Sequence, residues 1–112
     1  MSLDIKVSVR PGTDARRVEK ALVEVAQQAC VDGLEGLLAA FPPGASLIPG
    51  FGPSSLDFTL TVKIRRFLDQ FAVQSELRKR ILERFAKEGI EMALPVQVMI
   101  QGETVARRAA AN

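Results

Sequence analysis

Residues Ser55 to Arg65 read Ser-Leu-Asp-Phe-Thr-Leu-Thr-Val-Lys-Ile-Arg and alternate without a break. Side chains on a strand point to opposite faces with period two. Leu56, Phe58, Leu60, Val62 and Ile64 therefore share one face, and Asp57, Thr59, Thr61, Lys63 and Arg65 share the other. The pattern predicts a strand with one face buried and one face wet. Burying five such side chains contributes about 8–15 kcal/mol of gross hydrophobic free energy. A register slip of a single position would forfeit most of it. Ile5, Val7 and Val9 alternate with Lys6, Ser8 and Arg10 in the same way and predict a first strand, which Pro11-Gly12 ends.

Two segments switch to the helical period. Val18, Ala21, Leu22, Val25, Ala26 and Ala29 form one apolar stripe. Thr13 or Asp14 caps the start of this helix, since either side chain can accept a hydrogen bond from a free backbone N–H of the first turn, and Gly33 stops it. A second helix is predicted from Gln70 to Glu88, with Val73, Leu77, Ile81 and Phe85 as its stripe and Leu82 beside it. Gly89 suits the left-handed position after its last turn, and Ile90 can fold back on Phe85. Leu34, Leu37, Leu38 and Phe41 also fall at helical spacing. They predict a short helical turn before Pro42-Pro43-Gly44 and are expected in the core rather than at an interface.

A short strand is predicted over Ser46 to Phe51. Pro49 lacks a donor, which puts this strand at a sheet edge or in a bulge. Gly50-Phe51-Gly52-Pro53-Ser54-Ser55 supplies the hairpin into the long alternating strand. Pro95 leads into a last strand, Val96 to Ile100, with Val96, Val98 and Ile100 on one face. Residues 102–112 are expected to be a flexible tail, frayed from Ala106 to Asn112. The order is β-α-β-β-α-β. One-sided strands and one-sided helices predict an α+β fold, ferredoxin-like, in which two helices cover one face of a four-stranded, mostly antiparallel sheet.

Composition narrows the chemistry. The chain has 112 residues, enough for one domain with a modest core. Its 47% apolar and 25% charged residues are ordinary for a soluble domain. A net charge of +2 is too small to argue for nucleic acid or an anionic membrane. The single cysteine, Cys30, excludes an intrachain disulfide and fits a reducing compartment. It lies at the edge of the first helix's apolar stripe and reads as a small, semi-buried hydrophobe. No histidine is present to activate it as a nucleophile. No secretory leader pattern is visible, and no run approaches the ~20 apolar residues of a membrane helix, so the chain as given reads as soluble. Met1-Ser2-Leu3 reads as an added start ahead of a domain that begins at Asp4.

No constellation of residues points to catalysis, a cofactor or a metal. A metal site needs histidine, cysteine or clustered carboxylates, and Asp32 with Glu35 does not make one. The basic cluster Arg78, Lys79, Arg80, Arg84 and Lys87 could attract nucleic acid. Glu76–Arg80, Lys79–Glu83, Glu83–Lys87 and Arg84–Glu88 are opposite charges four apart, however, so a solvated helix face is the better reading. An RNA-recognition sheet needs exposed aromatics for stacking, and Asp57, Thr59, Thr61, Lys63 and Arg65 offer none. Gly33-Leu34-Glu35-Gly36 imitates a phosphate-clamping loop but carries the wrong sign of charge. Gly50-Phe51-Gly52 is not followed by a helix, as a phosphate cradle would be. The missing histidine also weighs against a metal-efflux regulatory domain.

Three segments together resemble the C-terminal cytoplasmic domain of the small-conductance mechanosensitive channel (MscS) family. Val7-Ser8-Val9 is followed by Thr13-Asp14 and a helix. Gly50-Phe51-Gly52-Pro53-Ser54-Ser55-Leu56-Asp57-Phe58 is similar to the family's Gly-Asp-Ser-Ser hairpin, with Pro53 where Asp is usual. Glu76-Leu77 through Phe85, then Glu88-Gly89-Ile90-Glu91 and Pro95, is similar to a helix ending in Gly-Ile-Glu before a proline-led strand. Ala93-Leu94-Pro95 stands in place of Pro-Phe-Pro, and Val96-Gln97 in place of Gln-Arg. The resemblance spans roughly Asp4 to Gln101 and implies a domain over residues 4–101.

In that family the domain forms part of a homoheptameric cage beneath the pore, on the cytoplasmic side of the bacterial inner membrane, with ions and osmolytes passing through side portals. The resemblance therefore implies self-association and contact with the remainder of a channel chain. It implies no nucleic acid, no direct membrane contact, no cofactor and no enzyme activity. Competing expectations are an ACT-like small-molecule-sensing domain and a free-standing interaction module.

Overall fold

In the computed structural model, which describes residues 1–93, five elements succeed one another: β1 (Ser2–Val9), α1 (Ala15–Val31), β2 (Gly44–Phe51), β3 (Leu56–Lys63) and α2 (Asp69–Glu88). The three strands form one antiparallel sheet in the order β1-β3-β2. The long alternating strand is therefore central. Its inner residues Phe58, Leu60 and Val62 are buried, as is Ile64 just past its end, and Leu56 packs at the margin. Leu3, Ile5, Val7 and Val9 of β1 join the same core. The first strand begins at Ser2, ahead of the expected Ile5, because Leu3 continues the inward alternation and pairs with Val62.

Both helices close the core from one side through the stripes read from sequence: Val18, Leu22, Val25 and Ala29 from α1, and Val73, Leu77, Ile81 and Phe85 from α2. Asp14 is the cap of α1, where its carboxylate accepts from the backbone N–H of Arg16 at 3.0 Å and of Arg17 at 3.4 Å. Both helices end in the same way. The Gly89 and Ile90 N–H groups donate back to Ala86 and Phe85, and Gly33 and Leu34 do so to Cys30 and Ala29, so that Ile90 is buried beside Phe85.

β2 is an edge strand and also carries a bulge, as its proline requires. Its pairing with β3 jumps from Ser46–Thr59 to Gly50–Asp57, and the Ile48–Pro49 peptide within the bulge is cis. Leu34 to Phe41 does not form the expected helical turn. Leu37 instead bridges Ile64, with Leu38 N–H donating to the Lys63 carbonyl at 2.9 Å and Arg65 N–H to the Gly36 carbonyl at 2.8 Å. Helical spacing over so few residues is ambiguous, and here strand pairing prevails. Leu37 is core, Leu34 and Leu38 are half-buried, and Phe41 is exposed.

Three strands are seen among the described residues. The predicted last strand, Val96 to Ile100, and the tail lie outside them. The chain reaches the outer edge of β1 after α2: Met92 bridges Val9, Arg10 N–H donates to the Glu91 carbonyl at 3.1 Å, and Ala93 N–H to the Ser8 carbonyl at 3.0 Å. No described helix is long and apolar enough to cross a membrane.

Candidate functional site

The outer face of the sheet is a cross-strand polar ladder. Every polar residue of β3 faces a polar residue of β1 at the same register position: Lys63 with Ser2, Thr61 with Asp4, Thr59 with Lys6, and Asp57 with Ser8. Lys63 Nζ donates to the Ser2 hydroxyl at 2.6 Å, Thr61 Oγ1 to Asp4 at 2.9 Å, and Ser8 Oγ to Asp57 at 2.7 Å. Asp57 also accepts from Ser55 Oγ at 2.8 Å, which ties the hairpin to the strand it precedes. A Cβ on Gly52 would lie 2.4 Å from that same hydroxyl, so a side chain there would push Ser55 off its bond to Asp57. No aromatic stands in this β1–β3 ladder, so it offers no base-stacking platform.

The helix face holds the second arrangement. Two arginines of α2 join the helices. Arg80 reaches Glu76 at 2.9 Å within its own helix and Asp32 at 2.8 Å just past α1. Arg84 pairs with Glu88 and crosses to Glu24 of α1 at 2.6 Å. Arg17 closes the far end on Glu88, at 3.1 Å to its carboxylate and 2.5 Å to its carbonyl. Of the four ion pairs expected along α2, Glu76–Arg80 and Arg84–Glu88 form. Lys79–Glu83 and Glu83–Lys87 do not appear among the described residues.

The charges of this seam reinforce one another. Hydrogen bonds from Gln28 and then Arg80 hold the Asp32 carboxyl below the usual carboxylate range. Arg84 does the same for Glu88, with Arg17 adding to it. The guanidiniums of Arg80 and Arg84 are pushed up in return, chiefly by Glu76 and Glu24 respectively. A groove of about 760 Å³ runs between the helices and is lined by these paired side chains with Gln27, Gln28 and Val31. Its two arginines are already engaged by carboxylates, which makes it a clasp between helices, and Glu83, which also lines it, takes part in no ion pair among the described residues.

Cys30 packs half-buried against the core, and burial pushes its thiol up. Among the described residues no three carboxylates or thiols gather where a metal ion could sit. What remains conspicuous is apolar surface. Phe41, Ile48, Phe51, Leu68, Phe71 and Leu82 are all exposed. Alternation and helical stripes identify inward residues, and they give no warning that so many of the other apolar residues face water.

The described residues thus form a helix-backed antiparallel sheet with a clasped helix pair and several exposed apolar side chains. The family model of the C-terminal domain of the mechanosensitive ion channel MscS matches residues 3–92, so the chain belongs to the MscS family of channel proteins. Among solved structures it is similar to closed-state MscS of Helicobacter pylori, with 28% identity and a TM-score of 0.68 over 84% of this chain and 35% of that one. It shares its fold with wild-type AtMSL1, with 14% identity and a TM-score of 0.58 over 84% of this chain and 32% of that one. The chain thus spans about a third of the length of the channels it matches. No curated protein sequence matches it.

Proposed function

We propose that this domain is the cytoplasmic cage domain of a mechanosensitive channel, running over residues 4–101, and that it contributes to subunit assembly and to filtering ions and osmolytes without any catalytic step. The observation that carries this reading is the family match over residues 3–92, supported by 28% identity to an MscS channel across 84% of the chain. The proposed setting is the cytoplasmic side of the bacterial inner membrane, in a homoheptamer joined to the remainder of a channel chain. The rung between Val9 and Met92 supports a fourth strand starting on the outer edge of β1, as the ferredoxin-like order requires. Filtering in this reading is electrostatic: fixed charges on a vestibule wall bias which ions approach.

A chimera tests it. Residues 3–92 replace the corresponding domain of the H. pylori channel, and membrane patches are stretched. Tension-gated current from a correctly assembled oligomer is the expected result. A chimera that reaches the membrane yet stays monomeric overturns the proposal.

A further inference from the structure

We propose that the pole of this domain at the start of β1 is a docking surface for the part of a channel chain that precedes it, with Phe67 and Leu68 as its anchors and Phe41 at its rim. This rests on the reading that the domain is joined to the remainder of a channel chain. The matching family model is that of a C-terminal domain, and the chain spans about a third of the channels it resembles. In that reading the remainder precedes β1 and reaches the domain where β1 begins.

The exposed apolar residues gather at that place. Ser2 pairs with Lys63 at the last rung of the sheet, and the backbones of Met1 and Ile64 exchange hydrogen bonds just beyond it, at 2.9 and 3.2 Å. Phe67 and Leu68 follow Ile64 at once along the chain and are 61% and 75% exposed. Phe71, one turn further along α2, continues their patch. From the other side Leu38 N–H bonds to the Lys63 carbonyl and Phe41 N–H to the Leu38 carbonyl, which brings Phe41, 51% exposed, to the same strand end. The backbone between β3 and α2 is pinned beneath these side chains. Arg65 N–H donates to the Gly36 carbonyl at 2.8 Å, and the Asp69 carboxylate accepts from Arg66 N–H at 3.0 Å and from its guanidinium at 3.2 Å.

Phe67 and Leu68 thus face water on a held backbone, while the core below them is closed by Leu37 and Ile64. Apolar side chains that the interior has no room for mark a contact surface, and anchors that are already ordered lose little freedom on docking. The charges at the pole nearly cancel: Asp69 holds Arg66 with Glu35 nearby, and Lys63 and Arg65 are the remaining cations. Recognition there is by apolar area, so the fitting partner surface is apolar. Tethering supplies the rest. A segment joined to Ser2 is held beside the patch at an effective concentration on the order of millimolar, so a patch too small to hold a free molecule suffices for it.

The chimera with the H. pylori channel carries the test. Phe67→Gln/Leu68→Gln blunts the pole. Phe51→Gln is the control, because Phe51 is 85% exposed and pairs with Leu56 at the opposite end of the sheet. As isolated chains both variants are expected to melt as the wild type does, since exposed substitutions change stability little. In the assembled chimera a protease is expected to cut the junction ahead of Leu3 roughly fivefold faster in the pole variant than in the unsubstituted protein, because docking keeps the junction closed. The control is expected to be cut at the unsubstituted rate.

Equal cutting of the unsubstituted chimera and the pole variant overturns the docking surface and leaves the channel reading standing. A control cut as fast as the pole variant overturns it too, since the cutting then reports loosened assembly rather than a lost contact. Isolated chains whose association with one another is abolished by Phe67→Gln/Leu68→Gln would assign the pole to a second copy and likewise overturn it. A chimera that reaches the membrane yet stays monomeric overturns the reading on which the docking surface rests.

Discussion

Thr59 shows how a single residue can depart from its pattern. Alternation places it on the wet face of β3, yet it is only 8% exposed. Three β2 residues stand against one of β3 in the bulge, and the extra backbone covers the Thr59 side chain, whose hydroxyl donates to the Ile48 carbonyl at 2.7 Å. Thr59→Val keeps the shape and removes the donor. It is expected to destabilise the chain by about 1–3 kcal/mol, the penalty for an unpaired carbonyl, as read by urea denaturation. A loss below a few tenths would mean that water replaces the hydroxyl. Glycines divide as sharply. Gly33 and Gly36 both have left-handed backbones, with φ of 75° and 91°. A Cβ at Gly33 meets nothing within 4 Å, whereas one at Gly36 would lie 2.8 Å from Asp69 Cβ. Gly33→Ala should cost about 1 kcal/mol through backbone strain alone. Gly36→Ala should cost clearly more, about 2–4 kcal/mol, because the loop must also lift off the start of α2. Equal denaturation midpoints for the two variants would refute the close approach.

At the level of elements, what was legible in the sequence and what was not divide along range. Period two in Leu56 to Ile64 and period 3.6 in Val18 to Ala29 each report a local burial pattern, and both elements formed where they were expected. Arg80 and Arg84 were legible only as partners of Glu76 and Glu88 on their own helix. Their bonds to Asp32 and Glu24, forty-eight and sixty residues away, depend on how the helices pack, which no local spacing encodes. The seam they make is testable by pH. Asp32 and Glu88 have carboxyls lowered in the folded chain, so their stabilising effect is fully present above the ordinary unfolded carboxylate range, about 4. It is lost as pH falls through the lowered folded values. An Arg80→Gln/Arg84→Gln variant keeps Gln28 beside Asp32 and Arg17 beside Glu88 but loses the arginines that also lower them. Its melting temperature should lie a little below that of the wild type at neutral pH, because exposed ion pairs are screened by water and contribute little each. The two should converge in acid. A gap that widens as pH falls would show that the seam acts through packing rather than charge.

For the whole molecule, the decisive fact is that one core joins four of the five described elements, with Ala45 and Leu47 of β2 packed half-buried against it. β1 and β3 supply its floor, α1 and α2 its roof, and Leu37 and Ile90 seal its ends. Every described residue of that core lies before Ala93. The outer-edge rung at Met92 stands at the end of the described residues, so a chain ending at Ala93 keeps every described side chain of that core. A chain ending at Ala93 is therefore expected to keep one cooperative thermal transition and the far-ultraviolet signature of the complete chain. Its slowest-exchanging amides should lie in β3, which is paired on both sides, and its fastest between Gly36 and Pro43, where strand pairing is limited to a single bridge. Loss of cooperative unfolding on truncation would show that the sheet draws essential stability from the residues after Ala93. The fourth strand of the ferredoxin-like order would then be a structural necessity rather than an extension of the edge of β1. Retention of cooperativity would show that residues 1–93 fold through their own interior, whose side chains leave the exposed apolar residues of α2 and β2 unused.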